Sequence, residues 1–130
     1  MKRWIIILCI TALLIGGCVW ESIYTNKAFD RLETELQEVA VALSVDKENI
    51  DTEDNIRRME KVHEKWHERL NVLRCIIWHT SNKDIENGLS RAEFYIRENN
   101  YTEAVVEINA IISYSKHYSD DFKISLENIF

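Results

Sequence analysis

Apolar residues fill almost every position from Trp4 to Trp20, and beyond Asn26 they fall back to every third or fourth place. The two rhythms predict two kinds of helix: one that is apolar all round, and several that are apolar on a single stripe. Phe29, Leu32, Leu36, Val39 and Leu43 form the first stripe, with no breaker between it and the apolar run. A polar stretch from Ser44 to Asp51 predicts a turn, with Asp51 or Thr52 capping the next helix. This second helix carries Ile56, Met59, Trp66, Leu70, Leu73, Ile77 and Thr80, with His63 in the one gap of that seam. By this spacing it is expected to be the longest helix. Thr80 to Lys83 reads as a turn, where Ser81 and Asp84 have the form of a capping box.

A third helix places Ile85, Leu89, Ala92 and Ile96 on one face, and Gly88 offers room for a close neighbour. Asn99 and Asn100 are suited to end it, because asparagine tolerates the left-handed backbone a helix stop needs. Asn100 with Glu103 then caps a fourth helix bearing Ala104, Ile108, Ile111, Ser115 and Tyr118, whose stripe continues through Phe122, Leu126 and Ile129. No strand pattern appears. The expected fold is all-α: an N-terminal transmembrane helix continuing into an antiparallel bundle of about four helices. Residues 1–3 form a cytoplasmic tail, 4–24 a transmembrane signal anchor and 25–130 an extracytoplasmic bundle.

Length and charge support this division. A helix from Trp4 to Trp20 extends about 25 Å, near the lower limit for a hydrocarbon core of about 30 Å, and Trp4 and Trp20 suit its two interfaces. Tyr24 extends the span by another turn. Of 16 basic residues only Lys2 and Arg3 precede the run, and all 22 acidic ones follow it, so the outer part carries a net −8. Positive residues stay on the cytoplasmic side, which places the bulk of the chain outside a cell membrane. The acidic balance and the lack of a basic stripe argue against nucleic acid as a partner. Without a breaker, the run and the first seam make a continuous rod holding the bundle at a fixed height.

The cysteines give no disulfide framework. Cys9 and Cys18 both lie in the run, about 13 Å apart along a helix and beyond bonding reach, and Cys75 reads as a small buried hydrophobe. Leu14-Ile15-Gly16-Gly17-Cys18 does resemble a lipobox, so lipidation at Cys18 is the alternative anchor. Against it, Val19, Trp20 and Ile23 come directly after, where a lipoprotein continues with a polar tether. A cleaved, secreted product ranks third, since no small-x-small site lies beyond the run.

One string carries the form of a catalytic motif. His63-Glu64-Lys65-Trp66-His67 matches HExxH, in which two histidines one turn apart hold zinc and the glutamate activates the bound water. Lys65 and Glu68 put charges where zincin helices are uncharged, and Leu70 stands where the metzincin extension has glycine. A third ligand would have to come from His79, Glu86, Glu93 or His117. The reading adopted is that His63 belongs to the seam, His67 to its edge, and Glu64 and Glu68 to a solvated face with Lys61, Lys65 and Arg69 as partners. Glu64 as base and His63 and His67 as metal ligands remain the alternative, a small zinc hydrolase. No cofactor and no small-molecule substrate are indicated: the aromatic residues fall at core spacing, and no phosphate-binding loop is present.

Several segments together resemble a known family. The basic start, the single apolar span, Trp66-His67-Glu68-Arg69-Leu70, His79 before the acidic turn at Asp84, Asn99-Asn100-Tyr101-Thr102-Glu103-Ala104 and the closing Ser125-Leu126-Glu127-Asn128-Ile129-Phe130 are similar to the small bacterial membrane proteins of domain of unknown function family 4363. The resemblance implies a single-pass anchored helical protein of Gram-positive-type bacteria with a multi-span membrane protein as its partner. HExxH is not among the family's features. The expected function is a non-enzymatic binding or accessory subunit of a membrane or envelope protein. Phe122, Leu126, Ile129 and Phe130 form an apolar tail to be covered by the bundle or by that partner.

Overall fold

The computed structural model describes the backbone of residues 1–73 and 79–129, and the side chains of residues 1–21, 23–71 and 83–120. Four helices succeed one another: α1 Lys2–Ser44, α2 Glu53–Leu73, α3 His79–Arg97 and α4 Tyr101–Ile129. Each packs on its neighbours in sequence, and α4 closes back on α1, while the diagonal pairs bring no Cα atoms within 8 Å among the described residues. The result is an up-down-up-down bundle.

The seams fill the core. Phe29, Leu32, Leu36, Val39 and Leu43 of α1 are buried, as are Ile85, Leu89, Ala92 and Ile96 of α3 and Ala104, Ile108, Ile111 and Ser115 of α4. Trp66 is the largest fully buried side chain, its ring 5.4 Å from that of Phe29, which also stacks on Tyr118 at 5.8 Å. Gly88 is buried, and a Cβ there would stand 2.8 Å from Ile111 Cγ1. A larger residue would force the Ile111 side chain or the α3–α4 spacing to shift, so the glycine permits the close approach of the two helices.

Three expectations need correction. The second helix is not the longest: α2 has 21 residues against 43 in α1 and 29 in α4. Thr80 to Lys83 is no turn, because α3 is already helical from His79, and Ser81 with Asp84 therefore does not start a helix. A regular period carries the seam of α2 straight across this joint, whose position it cannot register. Finally, Val62 and not His63 takes the core position between Met59 and Trp66. At 3.6 residues per turn both positions lie near the seam, and the branched apolar side chain enters while the imidazole stays half-buried at its flank. The expected roles of Cys75, Ile77 and the side chains of Leu73, Thr80, Phe122, Leu126, Ile129 and Phe130 lie outside the described residues.

Among the described residues, α1 begins with an uncovered stretch. An 18-residue window of mean hydropathy 2.1 has none of its residues buried and is long and apolar enough to cross a membrane. Trp4 and Trp20 are 72% and 60% exposed. Burial then sets in over a few residues: Val19 and Glu21 are half-buried, and Thr25 and Ala28 are buried. The bundle thus starts within two turns of the apolar stretch, so the continuous helix is present but leaves no length of free rod.

The opposite end is locked by one asparagine. Asn99 ends α3 with φ of 57°, and the Asn100 N–H donates to Tyr95 O while the Asn99 N–H donates to Ile96 O, the paired bonds of a Schellman stop. The Asn99 side chain then reaches the α1–α2 turn, accepting from Ile50 N–H at 2.9 Å and donating to Glu48 O at 2.7 Å. Asn55 Nδ2 donates to Ile50 O at 3.1 Å, so the fully buried Ile50 has both backbone groups satisfied by asparagines. Thr52 caps α2 through Asn55 N–H, and Asn100 caps α4 through Glu103 N–H, each at 3.3 Å. Asn99→Gly, which keeps the backbone but loses both side-chain bonds, is expected to cost about 1–2 kcal/mol, and Asn99→Ala about 1 kcal/mol more because alanine strains at positive φ. Chemical denaturation of the three chains tests this. Equal stability of the Ala and Gly variants would refute the backbone part.

Candidate functional site

The face between α2 and α3 gathers the residues of the HExxH string with carboxylates from the facing helix. The antiparallel register sets Glu60 opposite Arg97, His63 opposite Glu93 and His67 opposite Glu86. His63 Nδ1 lies 2.8 Å from Glu93 Oε1, His67 Nδ1 lies 3.0 Å from Glu86 Oε1, and Arg97 Nη2 donates to Glu60 Oε1. Glu60, His63, Glu64, His67, Glu68 and Glu93 line an open groove of about 460 Å³. The side chains of His63 and Glu93 are 26% and 22% exposed, whereas His67 is 57% exposed.

This arrangement engages one ring nitrogen of each histidine with a carboxylate across the groove. Two of the four residues considered as a third ligand, Glu86 and Glu93, do come to the histidines. His117 does not: it lies exposed on α4, the helix diagonal to α2. The His79 side chain lies outside the described residues. Glu64 and Glu68 are exposed. Among the described residues no group of three or more His, Cys, Asp or Glu side chains is placed to hold a metal ion. The geometry therefore makes the string one side of a row of clasps joining α2 to α3, with Glu60–Arg97 an ion pair and the two histidine clasps ion pairs when their imidazoles are protonated.

A second polar cluster was not apparent from the sequence. Arg69 was expected to pair along its own helix, but its Nη2 donates across to Glu35 Oε1 of α1 at 2.8 Å, with Lys65 Nζ 3.8 Å from the same oxygen. Arg69 and Glu35 are 13% and 19% exposed, so this is the most enclosed charge pair described. Arg69 Nη1 and Glu35 Oε2 are buried without a hydrogen-bond partner, beside an open pocket of about 710 Å³ that also includes Tyr24, Asp30 and Arg31. No signal in the sequence tied residues 34 places apart. Glu35 sits beside the core position Leu36, and only helix packing puts Arg69 next to it. The α1–α4 and α3–α4 faces each carry a comparable tie, Lys116 to Glu33 at 3.4 Å and Arg91 to Glu107 at 3.0 Å.

The description "Domain of unknown function (DUF4363)" matches residues 19–129, which is most of the chain. The chain belongs to this family. No curated protein and no solved structure matches it. The DUF4363 match takes in the last two residues of the Trp4–Trp20 run and the four-helix bundle, including both polar clusters. Cys18, exposed on α1, stands immediately before it.

Burial orders the clasps by strength. Arg69→Met leaves Glu35 largely enclosed and without its guanidinium, and is expected to destabilise the bundle by about 2 kcal/mol, while His67→Ala, at an exposed pair, costs less than about 1 kcal/mol. Denaturation of the two variants tests the order, and an equal cost would show that enclosure does not govern these ties. Zinc is expected to leave the melting temperature unchanged. Stoichiometric zinc lost on changing His63 and His67 to Ala would instead make the groove a metal centre.

Proposed function

We propose that this DUF4363 protein is a membrane-anchored helical bundle on the outer face of a cell membrane, acting by binding as an accessory subunit of another membrane or envelope protein. The observation that carries this reading is the uncovered apolar window of α1, on the same unbroken helix whose later turns form the core. A soluble chain would not leave 18 consecutive mostly apolar residues in water. Lys2 and Arg3 ahead of the window, with every acidic residue after it, favour an N-terminus inside and the bundle outside. A non-enzymatic role is supported by the engagement of His63 and His67 with glutamates as inter-helix ties. A bundle held on a membrane helix has a membrane protein as its nearest neighbour, and a multi-span protein is the proposed class.

Anchorage through Cys18 as a lipoprotein is the second reading, favoured by the exposed thiol next to the start of the family match. Incorporation of labelled palmitate that disappears in Cys18→Ala would establish it. For the main reading, the full-length chain is expected to stay in membranes washed with alkaline carbonate, and protease added outside intact cells is expected to digest the bundle. Taken up in mild detergent, it is expected to carry a second membrane protein in fixed stoichiometry. Release by carbonate would overturn the anchor, and a purely monomeric particle would overturn the subunit role.

A further inference from the structure

The ends of three helices converge on the level where the apolar stretch of α1 finishes. Phe29 stacks on Tyr118, and α4 runs eleven residues further, to Ile129. At about 1.5 Å per residue this carries it about 16 Å back along α1, level with Cys18. Phe29 also touches Trp66, and α2 runs seven residues further, to Leu73, or about 10 Å, level with residue 22. α3 starts at His79, seven residues before Glu86, which pairs with His67, and so starts level with the end of α2. Burial agrees with this register: Val19 and Glu21 are half-covered and Thr25 is fully covered.

A span beginning at Trp4 needs about 20 residues to cross a hydrocarbon core of about 30 Å, which sets its outer boundary near Tyr24. Trp20 and Tyr24 stack there at 5.7 Å, with Trp20 exposed, as aromatic residues at a membrane interface commonly are. The end of α4, level with Cys18, therefore lies about 9 Å below that boundary, among the outer acyl chains, and its last three turns cross the interface.

Charge distinguishes the two ends of the bundle. Around the far turns, Asp46, Glu48, Asp51, Glu53, Asp54, Glu98 and Glu103 stand against Lys47 and Arg97, whereas residues 19–28, 79–83 and 119–129 hold four acidic and three basic residues. An anionic lipid surface repels the first set and tolerates the second. In sequence the last turns of α4 also carry apolar residues, Phe122, Leu126 and Ile129.

The geometry points to a lipid-binding seat: the near end of the bundle, above all the last three turns of α4, is embedded in the outer interface of the bilayer that α1 spans. The occupant of this surface is the headgroup layer itself. This inference rests on the anchor reading of α1. It adds that the bundle sits in the membrane surface without a stalk.

The test places a fluorescent non-natural residue at Asn128, or at Val45 on the far turn, in the full-length chain inserted in vesicles of phosphatidylethanolamine and phosphatidylglycerol. Brominated lipids are expected to quench the Asn128 probe roughly threefold more than the Val45 probe, as for a group within about 5–10 Å of the acyl boundary. Equal quenching in protein that resists alkaline carbonate would overturn the seat while leaving the anchor intact. An Asn128 probe shielded from both brominated lipid and aqueous iodide would overturn it in favour of a protein cover, a second copy or a partner. Release of the chain by carbonate would overturn the anchor and the seat together.

Discussion

One unbroken helix has to satisfy two surroundings, and the rest of the structure depends on that. α1 runs from Lys2 to Ser44 with no proline and no change of helix type, so the rotation and height of its first half are transmitted rigidly to its second. The first half presents apolar side chains on all sides and buries none of its hydropathy window. The second half presents one stripe, from Thr25 through Leu43, on which α2 and α4 assemble, with α3 completing the bundle between them. The change from an all-round to a one-sided pattern takes place over Val19 to Thr25, where burial rises from half to complete. A bundle built on the continuation of such a helix cannot swing on a tether.

Within the bundle the apolar stripes supply the driving force for association, and the polar ties at their edges select the arrangement. Each of the four helix faces in contact has at least one charge pair beside its apolar seam. Sliding α2 past α3 by one turn would separate Glu60 from Arg97, His63 from Glu93 and His67 from Glu86 together, so the row fixes register even though its exposed members add little stability. The enclosed Glu35–Arg69 pair differs, since removing either partner leaves a charge in a poorly hydrated place. At the far end Asn99 performs a similar selection with neutral groups, joining the two turns through the backbone of Ile50.

The polar groups in the HExxH string show how a local motif takes its meaning from the opposite helix. Positions four apart share a face in any α-helix, so the string guarantees that His63 and His67 are neighbours. What they do is set by Glu93 and Glu86, 30 and 19 residues away, which hold one nitrogen of each ring.

The sequence by itself determined the helical class, the four stripes, the two asparagine-based stops at 99 and 100, the close approach at Gly88 and the apolar stretch that needs no partner within the chain. These arise from rules that act within a turn or two: side-chain spacing, capping chemistry and tolerance of positive φ. Tertiary structure alone decided that Val62 displaces His63 from the core, that α3 begins at His79, that Arg69 crosses to Glu35, and that Asn99 ties the two far turns together. It also decided that α4 ends level with the outer part of the apolar stretch. Each of these depends on the register between helices distant in sequence, which is fixed only when the stripes have packed.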